Sequence, residues 1–516
     1  VISPSSARPA TVPHTGSPSP TFRLPALASA VTVLVLGLIG LDTAQLWRDE
    51  LATWSAARRS VAGLAGLAGN ADAFYLPYYL LLHGWTSVFG DSAVSLRLPS
   101  LLACAGAAAA AAVLAGRWFG VRAAWCAGVL FALVPMVSRM AQEARPYGFV
   151  LLFTALATLA LVHALDRPAW GRWGLYALAL AAVGLTQLTG LALVAGHAVL
   201  VLLARGPGRW PFLPAAAASV LPSVPLAVIS LGGSQGVVGF IPRPGFLDLL
   251  GVSAVVPPGS ALWPQLLRST TMAWVLLALA LAALAVGPRR RVAGALAAFA
   301  GPVVAIWAAS QAGPSFFFAR YLVFLLPLLA VAAGVTVAAL RLPAVIAAVL
   351  VVVAGASVPD QLATRAVASH EAAFYPYEMF SEHPGQYADY RGLAALLRQA
   401  QDGDAVVYSD RGNFWFTDTG VDYHLRGAGP RDVFLDRTPA QANALGAVEG
   451  TDHAARLADV RRVWVVGVGE RQDPFAGSPA LVVRPGEAGK VAAVTGAFRQ
   501  AEVRWVPGFT VALMVR

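Results

Sequence analysis

The chain is 516 residues long, 57% hydrophobic and only 12% charged, with a mean hydropathy of +0.65. Soluble globular domains carry roughly 25% charged residues, so the composition excludes a soluble enzyme and indicates a polytopic membrane protein. The formal net charge of +10 does not point to nucleic acid, because no basic patch is interleaved with aromatics and the arginines sit in short loops between apolar runs, where they set topology.

Residues 1–24, "VISPSSARPATVPHTGSPSPTFRL", are rich in Pro, Ser and Thr and are expected to form a disordered tail. The apolar run 25–46 is too long for a signal-peptide core and has no small-residue cleavage site before Trp47, so it reads as a retained first span. It is followed by "LWRDELATWSA", in which Asp49 and Glu50 stand where a helix leaves the bilayer. The continuation "RDELATWSAARRSVAGLAGLAG" places Leu51, Trp54, Val61, Leu64 and Leu67 at helical spacing, which predicts one helix lying in the interface plane. Its dipole favours acidic residues at the start. Spacing alone leaves two readings open: the two carboxylates begin the helix and face water, or they carry out catalysis.

Further apolar runs fall at 76–90, 97–116, 121–139, 147–165, 173–188, 189–204, 211–231, 270–287, 292–310, 321–340 and 342–358. Alternate loops carry Arg117 and Arg122, Arg167 and Arg172, Arg205 and Arg209, Arg289 to Arg291, and Arg341, which predicts that these loops are cytoplasmic. The opposite loops, with "RMAQEARPYG", "GGSQGVVGFIPRPGFLDLLG" and "SQAGPSFFFARY", are expected to face outward. Twelve simple crossings would return the C-terminus to the cytoplasm, whereas the later arginine loops agree in placing it outside. One run is therefore expected to be short or re-entrant; the runs between 76 and 116 and the run at 189–204 are the candidates. Cys104 and Cys126 lie inside apolar runs and read as packing residues.

After about residue 359 the pattern changes. "DGDAVVYSD", "RRVWVVGVG", "PALVVR" and "FTVALMVR" read as strands, and "YRGLAALLRQAQ" as a helix with Leu393, Leu396 and Leu397 on one face. Residues 359–516 are thus expected to form a soluble α/β domain, with no GxGxxG fingerprint and no P-loop. The glycines of "GVGERQ" at Gly467 read as a strand-end turn. Basic residues are almost all Arg, with Lys490 the lone lysine, which together with abundant Ala, Gly and Pro fits a GC-rich bacterial genome.

Several polar residues stand at the boundaries of the apolar runs. Tyr75, Tyr78, Tyr79 and His83 line the start of the second run; on composition alone an aromatic belt is the better account of Tyr78 and Tyr79, and a lone His is more often a packing residue. Gln142, Glu143, Arg145 and Tyr147 occupy an outer boundary, and Arg320 and Tyr321 head a late run. An outward Arg goes against the positive-inside trend, and its planar fork suits phosphate oxygens; snorkelling to headgroups is the alternative. No second His or Cys stands at metal-ligand spacing, so no metal site is expected, and no cofactor is required.

The "DE" after the first span, "FYLPYY", "FGDSAVSLRLPSLL", "QEARPYG" and "RYLVFLLPLLA", in this order on a multispan chain, resemble the GT-C membrane glycosyltransferases. More narrowly, the chain is similar over residues 25–345 to bacterial relatives of protein O-mannosyltransferases and of the lipid A aminoarabinose transferase. Its C-terminal part resembles the extracytoplasmic tail of actinobacterial members. The resemblance implies an α-helical GT-C domain at 25–358 with about 11–13 membrane helices, in a bacterial plasma membrane, with active site and C-terminal domain facing outward. It implies inverting transfer of a sugar, mannose in the nearest relatives, from a polyprenyl-phosphate carrier to a lipid, glycan or protein acceptor. Asp49 matches the family's first-loop general base and Glu50 its acidic neighbour; Arg320 and Tyr321, with Arg145, fall where the donor phosphate is contacted. Tyr78, Tyr79, His83, Gln142, Glu143 and Tyr147 are the expected substrate-binding residues. The chain departs from the family at "YLP", Tyr75 to Pro77, where relatives carry His or an acid–lysine pair, and this leaves acceptor and sugar open. A membrane transporter or flippase is the rival reading; it would require ionisable residues at mid-span and an internal hydropathy repeat.

Overall fold

In a computed structural model the chain is described over residues 22–204, 207–233, 241–251, 261–367, 387–409, 411–412, 415–477 and 484–516. The expected tail lies outside these residues except for its last three positions, as do the predicted strand "PALVVR" up to Val483 and part of the loop at 232–251.

The first apolar run does not stay helical to residue 46. Helix α1 (Arg23–Leu38) stops where Gly40 adopts φ +76°, a left-handed conformation that glycine takes without a Cβ clash. The predicted interfacial helix is two helices, α2 (Arg48–Ala57) and α3 (Val61–Asn70), because Ser60 caps a new start by accepting from Gly63 N–H at 3.1 Å. Helix α4 (Leu76–Phe89) has 14 residues, about 21 Å, too short for a hydrocarbon core of about 30 Å. Asp72, just before it, takes the hydroxyl of Tyr79 within the helix itself, and Asp91, just after it, takes Trp54 Nε1–H from α2 and Arg426 from the C-terminal domain. The run at 76–90 thus forms a helix shorter than a membrane span.

Helix α5 (Ala93–Phe119), 27 residues, is long and apolar enough to cross a bilayer, followed by α6 (Val121–Leu133) and α7 (Pro135–Ala141), a pair bent by 67° at the break before Pro135, then α8 (Tyr147–Asp166) and α9 (Trp170–Thr186). Helical segments at 188–203, 212–230, 270–286, 289–312, 323–338 and 343–364 complete the bundle. Among the described residues five of these helices, or six with the bent pair, are long and apolar enough to cross a membrane, and shorter apolar helices pack beside them. The arginine loops gather at one end, where Arg291 donates to Trp118 O at 2.7 Å. Large apolar side chains left outside the bundle, such as Leu178, Leu202, Val351 and Val352, suit contact with lipid chains. Cys104 and Cys126 are buried free thiols, as expected of packing residues.

At the other end sits the C-terminal domain. Its sheet runs β2-β1-β5-β7-β6, built from β1 (Ala405–Tyr408), β2 (Arg431–Asp432), β5 (Arg462–Val468), β6 (Arg499–Val506) and β7 (Phe509–Val515). β1 pairs in parallel with β2 and β5, while β7 is antiparallel to β5 and to β6. β3 (Leu435–Arg437) and β4 (Val448–Glu449) form a small ribbon. Strand β6 was not expected, since its charged and polar residues hide the alternation. The expected helix forms at Tyr390–Leu397 with Leu393 and Leu397 buried. This domain shares one apolar core with α2, α3 and α4, in which Leu51, Trp54 and Leu67 meet Tyr390, Tyr408 and Trp464.

The loop between α1 and α2 is fixed by one side chain. Arg97, on α5, donates Nε–H and Nη2–H to the two oxygens of Glu50 at 2.8 and 2.7 Å. Its other donors go to the carbonyls of Leu41 and Ala44, both at 2.8 Å, and of Gln45 at 3.1 Å. Glu50 also accepts from Ala144 N–H at 2.8 Å. Both side chains are fully buried, so removing one leaves the other charge without a partner. Arg97→Leu is expected to destabilise the protein by about 3–5 kcal/mol, and the double variant with Glu50→Leu to recover part of that loss. Thermal unfolding in detergent checks this; a single variant that unfolds at the wild-type temperature would show that the pair does not anchor the loop.

Candidate active site

Helix α2 begins at Arg48, so Asp49 and Glu50 fall in its first turn but point apart. Asp49 lies toward a recess walled by three arginines. Arg320 Nη1 donates to Asp49 Oδ2 at 3.0 Å, Arg145 Nη2 stands 4.0 Å from the same oxygen, and Arg48 Nε is 3.8 Å from Oδ1. The Arg320 and Arg145 side chains are 7% and 6% exposed and that of Asp49 17%, so the group is enclosed yet reachable. Burial opposes ionisation of Asp49, but Arg320, then Arg145 and Arg48, outweigh it and hold the carboxyl below the usual carboxylate range.

Tertiary contacts place each arginine. Arg320 sits in a short 3-10 turn, Ala319–Tyr321. That turn is tied down because Tyr321 O accepts from Gln187 Nε2 at 2.6 Å and Thr189 Oγ1 at 3.2 Å. Arg145 donates to Thr53 Oγ1 at 3.2 Å, and its guanidinium lies 3.9 Å from the Tyr75 ring centroid. Its carbonyl accepts from Ser100 Oγ at 3.0 Å. Gly148 lets α5 and α8 approach this closely, since a Cβ there would stand 2.6 Å from Ser100 O.

A second carboxylate belongs to the same electrostatic neighbourhood. Asp72 adopts the left-handed conformation, φ 53°, and accepts the Tyr79 hydroxyl at 2.9 Å. Burial pushes its carboxyl above the usual range; Arg145 and the Tyr79 hydroxyl oppose this and the charge of Asp49 adds to it. Among the described residues three guanidinium groups thus face two carboxylates, a positive surplus of one even with both acids ionised.

Most of the remaining predicted site residues have partners within the protein; the buried Tyr147 hydroxyl has none among the described residues. Glu50 lies behind the recess, paired with Arg97, so it does not face the same space as Asp49. Glu143 pairs with Arg139 at 3.1 Å, both fully buried. Gln142 Nε2 donates to Gly37 O and Ile39 O at 2.9 and 2.8 Å, holding the end of α1. His83 Nδ1 stands 3.0 Å from Ala57 O, at the end of α2. Tyr78 is buried edge-to-face against Phe149, Tyr147 is buried beside Arg145 in sequence, and Tyr321 lies 5.7 Å from the Arg320 guanidinium. Asp49, Arg145, Arg320 and Tyr79 are therefore drawn into or against one recess, whereas Glu50, His83, Gln142 and Glu143 serve the frame around it.

Asp72, Arg48 and Thr53 escaped the sequence reading, and so did the role of Arg97. An arginine inside an apolar run was the available signal for Arg97; Asp72, an isolated acid in "GNADAFY", gave none. A polar trio also lies inside the bundle, where buried His197 meets Thr158 Oγ1 at 3.0 Å and the Tyr176 hydroxyl at 3.1 Å. Among the described residues no group of three or more His, Cys, Asp or Glu is arranged to hold a metal ion.

Residues 76–229 match the family model described as dolichyl-phosphate-mannose-protein mannosyltransferase. No curated protein matches the chain in sequence. The whole architecture is similar to the crystal structure of ArnT from Cupriavidus metallidurans bound to undecaprenyl phosphate, with 18% identity, 94% of this chain and 97% of that one covered, and a TM-score of 0.56. It is similar also to the same protein in the apo state, with 16% identity, the same coverage and a TM-score of 0.55. Helical bundle, broken outer helices and C-terminal sheet together give this chain the fold of the GT-C membrane glycosyltransferases.

Proposed function

We propose that the protein is an inverting glycosyltransferase that takes a sugar from a polyprenyl-phosphate carrier and places it on an acceptor hydroxyl. The observation that carries this reading is the positive surplus around a reachable carboxylate, Asp49 with Arg48, Arg145 and Arg320. A phosphate diester to a sugar carries one negative charge, and the monoester left after transfer carries more, so fixed guanidinium groups favour the leaving state over the bound donor. The similar ArnT structure holds undecaprenyl phosphate, which supports a lipid-phosphate donor. Mannose is the sugar we propose, on the description of the family matched by residues 76–229.

In the proposed reaction the acceptor oxygen attacks the sugar C1 while the bond from C1 to the phosphate oxygen breaks, and the lipid phosphate departs with the electron pair. The acceptor proton passes to Asp49. Attack opposite the leaving group inverts the anomeric centre. Arg320 and Arg145 receive the phosphate; as Arg320 turns toward it, its 3.0 Å contact with Asp49 loosens and the carboxylate becomes a stronger base. Asp72, whose carboxyl is pushed the other way, orients the acceptor through the Tyr79 side of the recess. Two acids with environments of opposite effect suit one proton-accepting and one hydrogen-bonding role. The active site and C-terminal domain face outward in this reading, since the arginine-rich loops gather at the opposite end.

Membranes given radiolabelled polyprenyl-phosphate mannose should show Asp49→Asn folded and inserted but slowed about 10²–10⁴-fold, the usual contribution of a general base. Arg320→Ala should also lose transfer, with part regained in Arg320→Lys, which restores charge without the fork. Equal turnover in wild type and Asp49→Asn would remove Asp49 from the mechanism.

The pH profile separates the two carboxylates. The Asp49 carboxyl is held below its ordinary value near 3.9, so it stays ionised until pH falls through that lowered value. The acid limb of kcat/KM is expected below about pH 4. A limb above about pH 5 that vanishes in Asp72→Asn would make Asp72 the base instead.

Reporter fusions after residues 120 and 360 should read cytoplasmic and extracytoplasmic respectively. A cytoplasmic signal at 360 would overturn the orientation.

A further inference from the structure

A second cleft, of about 570 Å³, opens between the C-terminal domain and the far side of α2. Its volume falls in the roughly 300–1,000 Å³ range of small-molecule sites. It lies at the carboxyl ends of the parallel strands: Tyr408 ends β1, Asp432 ends β2, and both line it. The chain leaves β1 for β2 on one side and later returns to β5 on the other, so the cleft occupies the topological switch point where open α/β sheets hold ligands.

The lining is polar and charge-balanced. Among the described residues Arg58, Arg59 and Arg411 face Asp418, Asp422 and Asp432, three cations against three anions. Behind them Lys490 Nζ pairs with Glu449 at 2.5 Å, which adds no net charge. A phosphate or nucleotide would need the positive surplus that the Asp49 recess has and this cleft lacks. A cation would need a negative surplus. What suits a neutral cleft rich in both donors and acceptors is a neutral ligand with many hydroxyl groups, each able to give and accept a hydrogen bond.

The polar groups are held in place before any ligand arrives. Arg411 donates to Asp418 at 2.8 Å, to Glu449 at 2.7 Å and to Asp432, and its guanidinium lies 4.9 Å from the Tyr408 ring centroid. Arg58 lies over Trp54 at 4.5 Å and meets Asp422 at 3.4 Å on the rim. Some bonding capacity in the wall is unused: among the described residues Asp432 Oδ1 accepts no hydrogen bond, and Arg59 Nε and Nη1 donate none, although Arg59 is only 4% exposed. Such orphaned atoms are uncommon in a buried wall.

We propose that this cleft binds carbohydrate, as a second site distinct from the Asp49 recess. Trp54, Ser55 and Arg58 stand five to nine residues beyond Asp49 on or at the end of the same helix, roughly 8–14 Å along its axis. A glycan seated there is held beside the transfer centre through remote, unreacting units. That the bound glycan is the acceptor rests on the proposed transfer reaction; the binding itself does not.

The test is isothermal titration and saturation-transfer NMR on the full-length protein in nanodiscs, with mannotriose and maltotriose as probes and inorganic phosphate as competitor. Saturable binding of at least one trisaccharide is expected, weakened about tenfold or more in Arg58→Ala and Asp422→Ala. Both residues are half-exposed on the rim, so the variants are expected to fold. Asp49→Asn should bind the trisaccharide as wild type does, which separates this site from the transfer reading. No saturable binding of either probe, binding untouched by both rim variants, or displacement by phosphate would each overturn the proposal.

Discussion

Arg97 uses all five of its N–H donors inside the protein, two on Glu50 and three on carbonyls of the segment that follows α1. This single guanidinium converts an apolar run that could have continued as a longer helix into a turn and an extended stretch. It thereby fixes where α2 starts. Because Glu50 is tied to α5 and to the backbone of Ala144, its neighbour Asp49 points the other way, toward Arg145 and Arg320. A desolvated ion pair is a weak source of net stability, but it is a strong source of uniqueness when its alternatives leave a charge unpaired. Adjacent acidic residues of like chemistry are thus divided between a frame and a recess by one buried partner.

Helix α2 connects the two polar regions of the molecule. Its first turn supplies Asp49 to a recess with surplus positive charge, and Arg58, which caps its C-terminal end, lines a cleft whose described charges cancel. The difference is physical information about occupants, since enclosed sites strengthen every uncompensated charge. The C-terminal domain shares an apolar core with α2, α3 and α4. Gln45 reinforces the junction, giving Nε2–H to Ala388 O at 2.7 Å and taking Arg391 N–H at 3.0 Å. The sheet and the membrane bundle therefore meet through the same short helices that carry the candidate chemistry.

The bundle itself follows from composition in a simple way. Apolar stretches of about 16 residues or more form helices because hydrocarbon offers no partner for backbone N–H and C=O groups. Most expected spans fall within a few residues of the observed helices, including 147–165, 173–188, 270–287 and 342–358. The exception at 76–90 forms a 14-residue helix whose apolar residues are interrupted by Tyr78, Tyr79, His83 and Trp85. Its far end is held by Asp91, which takes Trp54 Nε1–H from α2 and Arg426 from the C-terminal domain.

By itself the sequence determined the membrane class, the position of most apolar helices, the loops that carry arginine and the α/β character of the C-terminal part, and it singled out Asp49, Arg145 and Arg320, which the fold brings together. These are readable because hydropathy, period and charge placement are local quantities. Only the tertiary structure decided that Glu50, Gln142, Glu143 and His83 hold the frame, that Asp72 joins Asp49, and that the cleft beneath the sheet is electrically neutral. Each of those depends on which distant side chain lies opposite, as with Arg97 and Glu50, 47 residues apart. No pattern within a window of the chain can express such a pairing, because burial makes the partner, and not the residue type, decide what a charged group does.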